Sequence, residues 1–155
     1  MSAAQVEIKP ANPRSPGIRA LIAELDDLMA KLYPAESNHL MDLDALCAPE
    51  VAFFGAYVGD TAVGCGAVKR FADYVEVKRI FVTPRTRGHG VARKIMKTLE
   101  EATRAAGITI MRLETGIHQP EALALFEDFG FKRRESFGDY PQDDPLSVFM
   151  ERSLT

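Results

Sequence analysis

Between Val82 and Met96 the chain reads VTPRTRGHGVARKIM, and the residue types gathered there suit the binding of an anion. Gly88 and Gly90 carry no Cβ, so a ligand can approach the backbone amides closely. Arg85, Arg87 and Arg93 add positive charge around the same turn. Apolar residues from Val91 onward recur at helical spacing, so the turn opens a helix. The first four amides of a helix lack intrahelical partners, and its dipole favours negative charge. Two phosphate-binding patterns fail on their own requirements. A mononucleotide loop needs Lys followed by Ser or Thr after the last glycine, and Val91-Ala92 stand there. A dinucleotide fingerprint needs a third glycine where Arg93 stands, and it belongs to the first strand–helix unit, whereas this turn follows the fourth predicted strand.

Hydrophobic periodicity locates the elements that must position the turn. Gln5 to Ala11 alternates as a first strand. Ile18, Leu21, Ile22, Leu25, Leu28, Met29 and Leu32 then form a helical stripe, with Ser15 at the N-cap, Pro16 at the first helical position and Pro34 as the stop. A short second helix is expected within Glu36–Glu50. Three strands follow, VAFFGAYV, TAVGCGAVKR and YVEVKRIFV, joined by turns at Gly59-Asp60 and Ala72-Asp73 into an antiparallel meander. In the last of them Val75 and Val77 share one parity, and Ile80 and Val82 the other. A one-residue bulge near Lys78–Ile80 would bring all four to one face. After the helix that ends at Gly107 come the strand TIMRLET, a helix in QPEALALFEDFGF, and two closing strands. The unit from Tyr74 to Thr115 requires a right-handed parallel crossover. The expectation is a single α/β (α+β) domain over residues 1–155. Its sheet is mixed and mostly antiparallel, with a bulged central strand, a parallel crossover from the fourth strand to the fifth, and helices on both faces.

Composition narrows the partners. The 155 residues suit one domain, and 46% hydrophobic with 26% charged residues is ordinary for a globular chain. A net charge of −3 argues against nucleic acid. Cys47 and Cys65 are too few for a disulfide framework or a structural zinc site, and His39, His89 and His118 lack ligand spacing, so no metal is expected. Cys65, between Gly64 and Gly66, reads as a small core residue. No apolar segment suits a leader or a membrane span, so the expectation is a cytoplasmic protein with no membrane partner.

The stretch Arg85-Thr86-Arg87-Gly88-His89-Gly90 matches the pattern (Arg/Gln)-x-x-Gly-x-(Gly/Ala). With the bulged strand before it and EALALFEDFGF after it, the segment from Tyr74 to Phe131 resembles the core of the GNAT superfamily, the acetyl-CoA-dependent N-acetyltransferases. LYPAES at Leu32–Ser37 and the tail from Phe137 to Met150 are similar to stretches of one group of small bacterial members. The resemblance implies a site for acetyl-CoA. Its pyrophosphate would lie on the amides of Arg87, Gly88, His89, Gly90, Val91 and Ala92. The backbone of Ile80, Phe81 and Val82 would hold the pantetheine arm and thioester, with a strand N–H near Val82 at the developing oxyanion. Gln119 and Phe126 complete the coenzyme site. The same resemblance implies direct attack on the thioester by the amine of a small molecule or amino acid, and a possible homodimer. Glu76 matches the catalytic glutamate of the histone-modifying branch and is a candidate base acting through a water. Glu36, His39 and Glu114 are candidates for the acceptor site.

The chain departs from the family at two positions. Phe126 stands where many members carry the tyrosine proposed as general acid, and Gln119 where many carry asparagine. Tyr140, in SFGDYPQDD, is the candidate acid in place of the missing hydroxyl. That absence also keeps a second reading open, an acyl-CoA-binding sensor without turnover. Glu36, Asp139, Asp143 and Asp144 near the expected mouth suggest a cationic acceptor, while Arg79 and Arg112 could instead pair with an acceptor carboxylate.

Overall fold

Valine, phenylalanine and small residues alternate from Val51 to Val82, and this stretch builds three long antiparallel strands around which the chain is organised. The computed structural model describes residues 5–37 and 42–155. The elements are β1 (Glu7–Pro10), α1 (Pro16–Leu32), α2 (Leu43–Leu46), β2 (Val51–Val58), β3 (Thr61–Arg70), β4 (Val75–Val82), α3 (Val91–Ala105), β5 (Ile110–Gly116), α4 (Pro120–Asp128), β6 (Lys132–Arg134) and β7 (Ser147–Ser153). They form one seven-stranded sheet in the order β1-β2-β3-β4-β5-β7-β6. Among the described residues its only parallel pair is β4 with β5, joined through α3 as the crossover requires. No helix among the described residues is long and apolar enough to cross a membrane.

Two apolar layers cover the sheet. On one face Val91, Ile95, Met96 and Leu99 of α3 and Phe126 of α4 pack with Val75, Val77, Val82 and Met111. On the other, Ile18, Leu21, Ile22 and Leu25 of α1 pack with Phe53, Cys65, Ala67 and Phe81. The expected bulge is present. Cys65 pairs with Phe81 and Ala67 with Lys78, so the register slips opposite Gly66. The slip brings Val75, Val77 and Val82 into the layer beneath α3, with Ile80 packed against it, and turns Phe81 toward α1. Arg79 takes up the irregularity at φ 57°, a left-handed conformation costing a non-glycine residue roughly 1–2 kcal/mol. Its guanidinium is anchored by Asp26 of α1, Nη1 to Oδ1 2.6 Å, with the side chain only 4% exposed.

The bulge has a consequence for the neighbouring strand. β4 and β5 pair only at Val75–Met111 and Glu76–Arg112, and beyond these they part. Ser15 stands at the N-cap of α1, but its hydroxyl donates to the Asn12 carbonyl (2.7 Å) rather than capping the helix. Glu36 and Ser37 lie in a separate 3₁₀ turn, and Asp42 caps α2 by accepting from the Ala45 amide at 2.8 Å.

Candidate active site

The turn after β4 begins as a 3₁₀ turn, Pro84–Thr86, and then passes through Gly88 at φ 83° and Gly90 at φ 78°. Only glycine adopts such values without strain, and here they swing the backbone so that α3 starts with no side chain capping it. A Cβ on Gly88 would meet nothing within 4 Å, so this side of the turn is open. Arg87 is less available than its sequence position suggests. Its amide donates to the Pro84 carbonyl at 3.4 Å, its Nε donates to the Val82 carbonyl at 3.0 Å, and its guanidinium lies over the Phe81 ring. Arg87 thus ties the turn to the end of β4, and the open amides begin at Gly88.

A groove of about 650 Å³ runs from this turn along the parted strand. Its walls include Ile80, Phe81 and Val82 from β4, Arg87, Gly88, Gly90, Val91 and Ala92 from the turn, and Gln119 beside α4. The expected coenzyme residues are thus brought to one surface, apart from His89 and Phe126, which do not line it. Phe126 lines a smaller inner cavity of about 110 Å³ between α1, β4 and β5. Groove and cavity share Leu25, Ile80, Gln119 and Ala122, so they meet where β4 and β5 separate.

Polar groups reach the inner cavity from several elements, Ser37, Thr115 and Gln119 among them. Lys78 and Arg79 enter from the bulge, Glu114 from β5, and Tyr33 from the end of α1. Glu114 accepts from the Ser147 hydroxyl at 2.8 Å. Burial pushes its carboxyl up to about 7, against the opposing pull of Ser147 and Lys78. The Tyr33 hydroxyl accepts from the His118 amide (3.1 Å) and donates to Gln119 Oε1 (3.2 Å). It also sits where a side chain on residue 116 would begin, 1.8 Å from an added Cβ, so only glycine fits there.

Glu76 and Tyr140, distant in sequence, are in contact. The Tyr140 hydroxyl donates to Glu76 Oε2 and accepts from Lys78 Nζ at 2.6 Å, and Lys78 pairs with Glu76 at 2.8 Å. Edge-on packing against Phe137 and Phe149 holds the Tyr140 ring. Burial, and then the Glu76 carboxylate, push the Tyr140 phenol far above its ordinary value. Neither Glu76 nor Tyr140 lines the groove or the inner cavity; Lys78 is the member of this triad at the cavity wall.

The remaining candidates scatter. Glu36 is exposed in its turn, and His39 lies outside the described residues. Arg79 and Arg112 are committed to Asp26 and Glu151, the latter pair at 2.7 Å. Cys65 is buried, donates to the Arg79 carbonyl (3.3 Å), and is pushed by burial up to about 12, which suits a core thiol. Among the described residues no group of three or more His, Cys, Asp or Glu could hold a metal ion. Sequence reasoning missed Lys78 and Tyr33. Lys78 shares the parity of Glu76, and Tyr33 lies within LYPAES, so each carried a faint signal.

Comparison with known proteins agrees with this architecture. The Acetyltransferase (GNAT) family matches residues 19–131. An IAA acetyltransferase of Azospirillum brasilense is 44% identical over 151 residues, covering 96% of this chain and 98% of its own. A solved structure from Klebsiella pneumoniae, assigned as an acyl-CoA N-acyltransferase, superposes with a TM-score of 0.82 at 34% identity over 98% of this chain and 99% of its own. The PaiA N-acetyltransferase from Thermoplasma acidophilum, solved with coenzyme A, shares the fold at a TM-score of 0.74 and 16% identity, covering 96% of this chain and 98% of its own.

Proposed function

The chain belongs to the acetyltransferase (GNAT) family and is an N-acetyltransferase, and from that premise we propose that it moves the acetyl group of acetyl-CoA to the amine of a small molecule or amino acid. The observation that carries this reading is the junction of the open groove with the polar inner cavity, at the point where β4 and β5 part. The groove fits the coenzyme on three counts. Its turn presents uncapped amides at a helix N-terminus, the volume beside Gly88 is empty, and apolar side chains line the path from that turn to the junction. The pyrophosphate belongs at Gly88–Ala92 and the pantetheine arm along Ile80–Val82. This puts the thioester at the junction and the acceptor in the inner cavity.

Glu114 within the cavity and Glu36 at the exposed turn favour a cationic acceptor. Glu76 and Tyr140 serve this site through Lys78, whose ammonium they fix at the cavity wall. A dedicated acid for the leaving group is dispensable, since a thiol has a pKa of only about 8.5. That accounts for the tolerance of Phe126 in place of a tyrosine.

The test is a thiol-release assay with acetyl-CoA against a panel of primary amines and amino acids, run beside a thermal-shift titration with coenzyme A. Release with at least one amine supports the reading. Coenzyme binding without release from any amine would favour the sensor, for which the apolar Phe126 is the supporting feature.

A further inference from the structure

We infer that the acceptor is an amino acid, an amine that also carries a carboxylate, and that the Lys78 ammonium receives that carboxylate, an inference that rests on the acetyltransferase reading above. Lys78, Arg79 and Glu114 line the inner cavity, so its wall carries charges of both signs. A simple alkylammonium would be matched by Glu114 and would meet two cations of its own sign. A zwitterion matches both kinds of charge.

The two cations differ in what they can offer a ligand. The Arg79 guanidinium donates to Asp26 at 2.6 Å, which anchors it to α1. Lys78 carries three N–H donors on a compact ammonium. One goes to the Tyr140 hydroxyl at 2.6 Å and one to Glu76 Oε2 at 2.8 Å. Among the described residues no third acceptor meets Nζ. Neither Glu76 nor Tyr140 lines the cavity, so the remaining donor is the one available to a ligand there. The Lys78 side chain is 14% exposed, and a charge-assisted hydrogen bond formed in such shelter is stronger than one in open water. Arg112, the other cation suited to an acceptor carboxylate, is held by Glu151 at 2.7 Å and lies outside the cavity wall.

The splay of the sheet sets Lys78 against Glu114. β4 and β5 run parallel, with Val75 paired to Met111 and Glu76 to Arg112. Two residues further on, Lys78 falls level with Glu114, where the strands have parted. The Lys78 charge favours the ionised form of the Glu114 carboxyl, yet the two form no ion pair with each other. An acceptor with its ammonium toward Glu114 and its carboxylate toward Lys78 would bridge that gap.

The acceptor enters as an ammonium, and its nitrogen forms the N–C bond at the thioester carbonyl. The C–S bond breaks with its electrons on sulfur. Of the two protons that nitrogen loses, one ends on the thiol and one in water. The carboxylate is unchanged in the product, an N-acetyl amino acid.

The experiment pairs each amino acid with the amine left when its carboxylate is removed: serine with ethanolamine, phenylalanine with 2-phenylethylamine, lysine with 1,5-diaminopentane, and 4-aminobutanoate with propylamine. Thiol release from acetyl-CoA is followed for every member. In the best pair kcat/KM should favour the amino acid by about 10-fold or more, the effect of one hydrogen bond between charged groups. Lys78→Met combined with Glu76→Gln removes both charges of the buried pair, so no carboxylate is stranded. Lys78→Gln alone, which keeps a donor for Glu76, is the second variant. In each the ratio of amino acid to amine should fall close to one, while coenzyme A still gives the thermal shift of the parent. A preference that survives in a folded variant would remove Lys78 from the acceptor site. Equal rates within every pair, or faster rates for the amines, would overturn the inference and leave the acetyltransferase reading standing. If nothing in the panel turns over while coenzyme A binds, that reading falls and this inference falls with it.

Discussion

Tyr140→Phe keeps the ring between Phe137 and Phe149 and deletes the hydroxyl that joins Glu76 to Lys78. Hydrogen bonds to charged groups are worth about 1.5–3 kcal/mol, so thermal denaturation should show a loss of that order. The hydroxyl does not line the inner cavity, so kcat should fall by less than the roughly 10²-fold that marks the lower range of acid–base catalysis. A larger fall in the chemistry-limited regime would return Tyr140 to the role of acid. Phe126→Tyr is the companion. Phe126 is 5% exposed and packed beside Phe131, so a new hydroxyl there enters an apolar layer. Unless it finds a partner it should cost about 1–3 kcal/mol and bring no gain in kcat. Such an outcome would mean that this cavity is built around an apolar ring.

At the scale of elements, the β4 bulge and the turn before α3 do separate work. The bulge parts β4 from β5 and creates the junction, while the turn presents the amides. Gly66 tests the first. A Cβ there would come within 2.6 Å of Ile95 Cγ2 and 2.7 Å of Ile80 Cδ1, so Gly66→Ala must push Ile80 toward the junction it lines. Overpacking of this kind costs about 1–3 kcal/mol. The expected result is lower stability with a raised KM for acetyl-CoA. Gly88 tests the second. Gly88→Val would put a β-branched residue at φ 83° and fill the empty side of the turn. Coenzyme A should then give no thermal shift, whereas the parent should gain about 2.7 kcal/mol at a hundred times Kd. A shift equal to that of the parent would remove this turn from the site.

The whole molecule should show two opposed pH dependences. Glu114 ionises at about 7 in the fold, against a model-peptide value of 4.5, so between these values the unfolded chain loses a proton that the native chain keeps. Native protein then binds more protons, and stability falls as pH rises through that window, by up to about 3 kcal/mol at 1.36 kcal/mol per pH unit. Glu151 acts in the other direction. It is partly desolvated, but the guanidiniums of Arg112 and Arg134 hold it below the usual carboxylate range. Its contribution is present above the unfolded value and is lost as pH falls through the lowered one. Denaturant unfolding across pH 4 to 8 should therefore show a decline toward neutrality, and Glu114→Gln should flatten it.

Most of the fold was legible in the sequence, because its elements are set by local rules. Period-two and helical spacing located β2, β3 and α3 to within a residue, and the parity break between Val77 and Ile80 announced the bulge. The anion turn was legible for the same reason, since glycine and a helix N-terminus act through backbone alone. The inner site was not. Glu76 meets Tyr140 across 64 residues, and Tyr33 meets Gln119 across 86, contacts that no periodicity encodes. Which of two strand glutamates opens into a cavity depends on where β4 and β5 part, and on which carboxylate a tyrosine and a lysine already occupy. Burial and long-range pairing decide that, and they exist only once the sheet has formed.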